Sequence, residues 1–235
     1  MTRARSIWLG SVAAAVALGA SPGERALRAI TPGNAYVVIE VTDLLAPLPA
    51  PFRVKALTRA DGRVLARVLW PRGDRGVTIL LDSREALAYF PRADLLVSSV
   101  GDSSASPLPI PWRALLDPAA AFRGARTSET NAPCPEAPCR TLRALRPPGT
   151  PCASLDLHAL PDGTPLRLAC VDDGGRSIWA IGFGNPVRVG GLARPRALSY
   201  EEAGRLRARA RVVFYEPDPP VQENLFTREG LRRWR

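Results

Sequence analysis

The chain has 235 residues, of which 46% are hydrophobic and 23% are charged, and its formal net charge is +10. This balance excludes a wholly disordered chain, because disordered segments are poor in hydrophobic residues and rich in charge. The 24 prolines and 19 glycines shorten helices and favour strands and turns.

Residues 1–20 have the order of a secretory signal. Arg3 and Arg5 precede an apolar run of about fifteen residues, and helix-breaking residues follow at 21–23. A helix of that length extends about 22 Å, less than the roughly 30 Å hydrocarbon core of a bilayer. The sequence therefore predicts an exported protein, periplasmic or extracellular, in which the segment is either cleaved or kept as an N-terminal anchor.

Residues 35–100 alternate short apolar runs with turn signals, and Asp61-Gly62 is typical of a hairpin. A helical turn is expected at 83–90. We predict strands at residues 36–41, 52–58, 63–69, 77–81 and 95–100. So many short strands indicate a β-sandwich-like module or an open barrel.

Residues 101–151 are rich in proline, serine and cysteine, and are predicted to connect this module to a second one at 152–215. A short strand or helix is expected within the connector at 112–122. Turn signals at 161–164 and 172–175 separate the first strands of the second module. These strands are predicted at 154–160, 166–171 and 177–183.

Residues 199–214 fit two secondary structures. Ser199 and Glu202 have the spacing of a helix-capping box, which favours a helix at 200–209. Arginines that alternate with apolar residues favour a strand with one basic face instead. We predict the helix, followed by an extended segment at 212–215 and a mobile, basic C-terminal tail at 216–235. The expected fold class is therefore mainly β, a β-rich α+β protein.

All four cysteines lie within 37 residues. An even, clustered number in an exported chain predicts two disulfides, whose pairing stays open. Free thiols and a metal site are the alternatives, but the spacing includes no C-x₂-C pair, and no metal site is predicted. The disulfide candidates are Cys134, Cys139, Cys152 and Cys170.

The sequence offers few groups for catalysis. Its only histidine, His158, falls in a predicted strand, where a structural role is the usual one. Asp172 and Asp173 are paired carboxylates, but they sit in a two-glycine turn for which aspartate is favoured by its backbone hydrogen bonds. No phosphate loop and no G-x-S-x-G nucleophile motif occurs. We expect no cofactor and lean towards a protein that is not an enzyme.

Residues 172–176, Asp-Asp-Gly-Gly-Arg, resemble the D-x-x-G-R hairpin of thermonuclease (staphylococcal-nuclease-like) domains. The resemblance covers about residues 166–211. It implies an OB-like second module, one Ca²⁺ held by carboxylates, and phosphodiester cleavage. Arg176 would stabilise the charge of the transition state, as an ionised planar guanidinium can, and Glu136 is the acidic residue nearest to the family's upstream carboxylates.

Three functions are weighed on this basis. The favoured one is a non-enzymatic accessory or binding protein, periplasmic or membrane-associated, alone or as a subunit of a larger membrane complex. The alternatives are a secreted Ca²⁺-dependent nuclease and its degenerate relative that binds nucleic acid without cutting. The expected partner of the basic chain is a protein complex or an anionic membrane surface, ahead of nucleic acid. The residues expected to bind are Arg205, Arg207, Arg209, Arg211, Arg232, Arg233 and Trp234.

Overall fold

A computed structural model describes residues 20–44, 51–70, 75–82, 85–100, 112–130 and 138–234. Cys134, Glu136 and all but the last residue of the predicted leader at 1–20 lie outside the described residues. Within the described ranges, no helix has the length and hydropathy needed to cross a bilayer.

The described chain is dominated by antiparallel strands, which confirms the mainly β fold class. The strands are β1 Ala35–Asp43, β2 Pro51–Thr58, β3 Val64–Trp70, β4 Thr78–Leu81, β5 Glu85–Phe90, β6 Leu95–Val100, β7 Thr127–Thr130, β8 Arg140–Leu145, β9 Ser154–Ala159, β10 Pro165–Val171, β11 Ser177–Gly184, β12 Val187–Val189, β13 Leu192–Arg194, β14 Ala197–Glu202 and β15 Arg205–Pro217. β12 and β13 form a separate hairpin, and the others form one sheet in the order β6-β5-β4-β3-β2-β1-β15-β14-β11-β10-β9-β8-β7.

Strands from both predicted modules belong to this one sheet. The link is the pairing of β1 with the long strand β15, from Ala35 opposite Pro217 to Asp43 opposite Ala208. The predicted connector also contributes to the sheet, since it contains β7 and β8. Whether the two halves fold as separate units stays a prediction.

The predicted helix at 200–209 is wrong, because this segment contains the end of β14, a tight turn and the start of β15. Ala203 and Gly204 in the turn have φ values of +48° and +74°, which interrupt any helix. β15 pairs with β1 and β14, and Ala208 and Ala210 of the alternating pattern are buried in the core. The helical turn expected at 83–90 is likewise replaced by β5, which pairs with β4 and β6.

Three short α-helices and two 3₁₀ helices complete the described structure. They are α1 Pro22–Ile30, α2 Trp112–Leu116, the first 3₁₀ helix Pro118–Phe122, the second 3₁₀ helix Glu223–Phe226 and α3 Arg228–Arg233. The large core lies on the sheet face that carries Val41, Val54, Leu157 and Ile181, which we call the inner face. α1, α2 and the first 3₁₀ helix pack on it.

The opposite, outer face has a smaller core of its own. Phe226, Leu231 and Trp234 of the C-terminal segment (residues 222–234) pack against leucines of β2 to β5. Those leucines are Leu57, Leu65, Leu80 and Leu87. The predicted C-terminal tail is therefore docked, in this structure, on the protein's own sheet.

A disulfide joins Cys152, just before β9, to Cys170 in β10, and their Cα atoms are 5.3 Å apart. Both residues are buried in the inner-face core. Cys139 is disulfide-bonded as well.

Replacing both Cys152 and Cys170 with serine is expected to lower the free energy of unfolding by about 3 kcal/mol. The bond closes a loop across 18 positions, and its removal frees the unfolded chain. For a chain of this size, the melting temperature should fall by about 6–12 °C. Thermal unfolding followed by circular dichroism measures the shift, and an unchanged midpoint would show that the bond adds nothing to stability.

Candidate functional site

α1 covers part of the inner face with unusually small residues. Ser21 and Glu24 form a capping box and Pro22 occupies the first turn, which explains why the helix starts here. Its buried residues are Gly23, Ala26, Ala29 and Ile30, three of them small. A Cβ atom on Gly23 would lie 2.8 Å from the Cβ of Leu142 in β8, so the helix backbone rests directly on the sheet.

Hydrogen bonds hold α1 in place from three sides. The backbone N–H of Gly23 donates to Glu129 Oε1 of β7 at 2.8 Å. Arg25 Nη2 donates to the carbonyl of Pro161 at 2.8 Å. At the other end, Arg194 Nη1 of β13 donates to the carbonyls of Ala29 (3.3 Å) and Thr31 (2.9 Å). Cations are favourable beside the exposed carbonyls of a helix C-terminus.

The face beneath α1 is apolar. Its neighbours there, Leu142, Leu157 and Leu168, belong to the large core and are fully buried. Because α1 contributes mostly small side chains, lifting it would expose less apolar area than lifting a leucine-rich helix of the same length. The arrangement is an apolar surface under a helix that is held by these hydrogen bonds and by the packing of Leu27 and Ile30 against the core.

The outer face carries a groove of about 600 Å³, which we call the outer groove. It crosses β10, β11, β14, β15 and β1. The floor of the groove is deep because it consists of glycines and small side chains: Gly182 and Gly184 of β11 lie opposite Ser199 and Ala197 of the neighbouring strand β14. Longer side chains from the flanking strands form its sides: Glu40, Arg167, Glu201, Arg209 and Arg211.

Most charges of the outer groove are paired. Glu40 accepts hydrogen bonds from Arg53 and from Arg211, the latter at 2.7 Å, and these bonds hold the pKa of Glu40 below its usual value. Arg167 pairs with Glu201 at 2.8 Å. The groove is therefore a mixed-charge surface, with arginine in excess.

His158 lies at one end of the outer groove, on β9. Its Nδ1 is 2.9 Å from the hydroxyl of Thr141 on β8. Burial is the main cause that lowers the pKa of this histidine, which favours the neutral ring at pH 7. This hydrogen-bonded position between strands agrees with the structural role expected of it.

The structure brings together two of the four arginines at 205–211 that were expected to bind. Arg209 and Arg211 of β15 reach the outer groove. The pairing of β14 with β15 shifts register between Tyr200 and Glu201. This shift lies between the two groove arginines and the two arginines at the start of β15. There Arg207 pairs with Glu202 at 3.0 Å, and Arg205 lies opposite Glu202 at the hairpin turn.

The predicted C-terminal binding residues divide between surface and core. Trp234 is 9% exposed and lies under the ammonium group of Lys55, which is 4.7 Å from the ring centroid. Arg232 lies over the ring of Tyr89 at 5.7 Å. Arg233 is exposed and pairs with Glu229. Trp234 therefore acts as a packing residue in this conformation.

The fold matches solved structures whose sequences differ widely from this one. A domain from Vibrio parahaemolyticus, provisionally assigned as an outer membrane lipoprotein-sorting protein, matches with a TM-score of 0.70 at 14% identity, over 89% of this chain and 96% of its own. A LolA superfamily protein from Nitrosomonas europaea matches with a TM-score of 0.67 at 14% identity, over 89% and 97%. A DUF1329 family protein from Desulfovibrio piger matches with a TM-score of 0.64 at 15% identity, over 90% and 100%. At these identities the likeness concerns the fold alone.

Sequence comparisons give no further relatives: no protein-family model matches the chain, and no curated protein matches it.

The resemblance to thermonuclease domains is wrong. Residues 166–211 contribute strands to the large sheet, and the structures that share this fold are LolA-like rather than OB barrels. The side chain of Arg176 is 86% exposed and pairs with Asp172, whose carboxylate also accepts from the Arg176 backbone N–H. The D-x-x-G-R sequence is a hairpin turn whose aspartate binds the turn backbone. Within the described ranges, no group of three metal-ligating side chains accompanies it.

Two parts of the site were missed by the sequence reasoning. Residues 21–23 were interpreted only as breakers after the leader, although Ser21 and Glu24 have the spacing of a capping box that marks the start of α1. β8 lies in the segment interpreted as a connector, although Leu142 and Ala144 alternate with polar residues. The glycine floor of the outer groove has no sequence signal, because it depends on which strands are neighbours.

Proposed function

We propose that this chain is an exported, non-enzymatic binding protein that receives a lipid-modified polypeptide. Support comes from the fold, which it shares with a domain provisionally assigned to outer membrane lipoprotein sorting and with a LolA superfamily protein. Export is supported by the secretory order of residues 1–20 and by the Cys152–Cys170 disulfide, since such bonds persist in oxidising compartments. The lipidated polypeptide is the protein partner, and the periplasm is the proposed location.

The observation that carries this proposal is the apolar inner face beneath α1. Acyl chains need an apolar site, since each buried methylene contributes about 0.8 kcal/mol. The outer groove is lined by charged side chains and suits such chains poorly. The inner face offers leucines from β8, β9 and β10 under a helix that buries mainly glycine and alanine.

In this proposal α1 lifts to admit the acyl chains. Arg194 sets the cost of lifting, because its guanidinium must release the carbonyls of Ala29 and Thr31. Glu129 adds a second contact at the start of the helix. The residues thus bind, cover and release a ligand, and no chemical step is assigned to them.

Replacing Arg194 with methionine should favour the lifted state and bind a lipidated ligand more tightly. Losing two charge-assisted hydrogen bonds of about 1.5–3 kcal/mol each should strengthen apparent binding by at least about a hundredfold. The probe is a fluorescent peptide with an N-terminal diacylglyceryl cysteine, compared with the same peptide lacking the acyl chains. Fluorescence anisotropy measures both affinities.

Arg188→Met is the matched control, because Arg188 lies on the same β12–β13 hairpin but pairs with Asp162 on the surface. The affinity of the Arg188→Met variant for the lipidated peptide should equal that of the unaltered protein. Equal binding of the lipidated and unlipidated peptides would contradict the proposed function. Equal affinities of the Arg194→Met and Arg188→Met variants would contradict the role of α1 as the cover.

A further inference from the structure

One row of the outer groove joins an arginine to two hydroxyl groups. Gly182, Ser199, Arg209 and Thr42 lie opposite one another on four adjacent strands, β11, β14, β15 and β1. Directly opposed residues share a face of the sheet. The flanking residues Ala208 and Ala210 belong to the inner-face core, so this row lies on the outer face.

The side chains of this row are available to a ligand. Arg209 is exposed, and among the described residues neither it nor the hydroxyls of Ser199 and Thr42 has a hydrogen-bond or ion-pair partner. By contrast, Arg167 and Arg211 of the same groove are each paired with a glutamate. Arg209 is therefore the groove arginine whose guanidinium is left for an external anion.

The floor keeps space open beside these groups. A Cβ atom on Gly182 would lie 2.5 Å from Ser199 Oγ, so the serine hydroxyl extends over the glycine. Next to it, Gly184 faces Ala197. The groove holds about 600 Å³, within the range of roughly 300–1,000 Å³ of small-molecule sites. A single inorganic phosphate would leave most of this volume empty.

We propose that the outer groove binds a glycerophosphate-type head group, with its phosphate on Arg209 and the hydroxyls of Ser199 and Thr42. A guanidinium offers a planar pair of donors to phosphate oxygens, and hydroxyls add neutral donors. A nucleotide is disfavoured, since base recognition uses an exposed aromatic ring. Of the two rings that line the groove, Phe183 packs against the inner-face core and His158 is half-buried at one end, beside the Thr141 hydroxyl.

This site is separate from the one in the proposed function. α1 covers the inner face, whereas the Arg209 row lies on the outer face of the same sheet. A ligand can therefore occupy either site without the other, and experiments can contradict one proposal without contradicting the other.

Isothermal titration with dihexanoyl phosphatidylglycerol, below its micelle concentration, tests the site on the purified protein. Arg209→Gln should weaken binding about tenfold, the loss expected from one charge-assisted hydrogen-bonded contact. Arg205→Gln is the matched control, because Arg205 is exposed on the same strand outside the groove. Its affinity should be unchanged.

A second variant fills the groove without changing its charge. A Cβ atom on Gly184 would meet only the Cβ of Ala197, at 3.7 Å, an ordinary contact. Isoleucine suits a strand, so Gly184→Ile should fold normally while occupying the floor. Binding of phosphatidylglycerol should fall at least tenfold, and a melting temperature near that of the unaltered protein verifies the fold.

Two further ligands test which kind of phosphate compound the groove binds. Inorganic phosphate and adenosine monophosphate should bind at least tenfold more weakly than phosphatidylglycerol, and equal binding of either would overturn the head-group assignment. Equal affinities of the Arg209→Gln and Arg205→Gln variants, or full binding by Gly184→Ile, would show that the groove is not the site. A salt-independent affinity would exclude the arginine–phosphate contact.

Discussion

Replacing Trp234 with alanine is expected to lower the free energy of unfolding by about 3–5 kcal/mol, the usual cost of removing a buried tryptophan side chain. The indole is 9% exposed, packs in the outer-face core and lies under the ammonium group of Lys55. Burial lowers the pKa of that lysine, with Arg67 as a second cause. Urea unfolding followed by circular dichroism measures the loss.

Arg233→Ala provides the control for this prediction. Arg233 is the neighbouring residue, but its side chain is 78% exposed and pairs with Glu229 of its own helix, so the free energy of unfolding should change by less than about 0.5 kcal/mol. Trp234→Phe should keep most of the stability, because it retains apolar volume. If Trp234→Ala and Arg233→Ala were equally mild, the C-terminal segment would not be docked in solution.

The C-terminal segment shows why composition alone misassigns a tail. Four of the last eight residues are arginine, which favoured a mobile docking peptide. The structure places the apolar residues between them on the leucines of β2 to β5, while Glu223 pairs with Arg59 and Arg63. A docked helix of six residues is too short to show a clear periodicity, so its contacts depend on the sheet beneath it.

Much of the sheet could be predicted, because half-buried strands carry a period of two that is visible locally. β1, β2, β3 and the β9–β11 meander follow the predicted ranges closely, and Gly62, Gly163 and Gly175 have positive φ in the predicted turns. The helix predicted at 200–209 is wrong because the prediction relied on a local signal alone. The capping box at Ser199 is a local preference, and pairing of β15 with two neighbours outweighs it.

The candidate sites could be predicted only in part. The alternating arginines did contain Arg209, but the sequence could not distinguish it from Arg205 or Arg207. The difference arises from the register shift in β14–β15 and from the glutamates that β1 and β14 bring near the other groove arginines. Strand order sets these neighbours, and strand order joins residues that are far apart along the chain.

Replacing Asp156 with alanine should cost about 3 kcal/mol, because removing one partner of a buried ion pair leaves the other uncompensated. Asp156 of β9 is 6% exposed and faces Arg143 of β8, which donates to both carboxylate oxygens at 2.7 Å. This bond raises the pKa of the Arg143 guanidinium. The expected cost lies at the low end for such pairs, because Arg143 is one-third exposed and can turn towards water.

Asp173→Ala tests whether burial, rather than the pairing itself, sets this cost. Asp173 also pairs with an arginine, Arg146, but both side chains are 81% exposed, and such pairs contribute about 0–1 kcal/mol. The two variants remove the same group from pairs near the same edge of the sheet, so the difference between their free energies of unfolding isolates the effect of burial. High salt should reduce the small effect of Asp173→Ala and leave that of Asp156→Ala nearly unchanged. Equal costs for the two variants would mean that Asp156 is solvated in the folded protein and that β8 and β9 are held together by their backbone and leucine contacts alone.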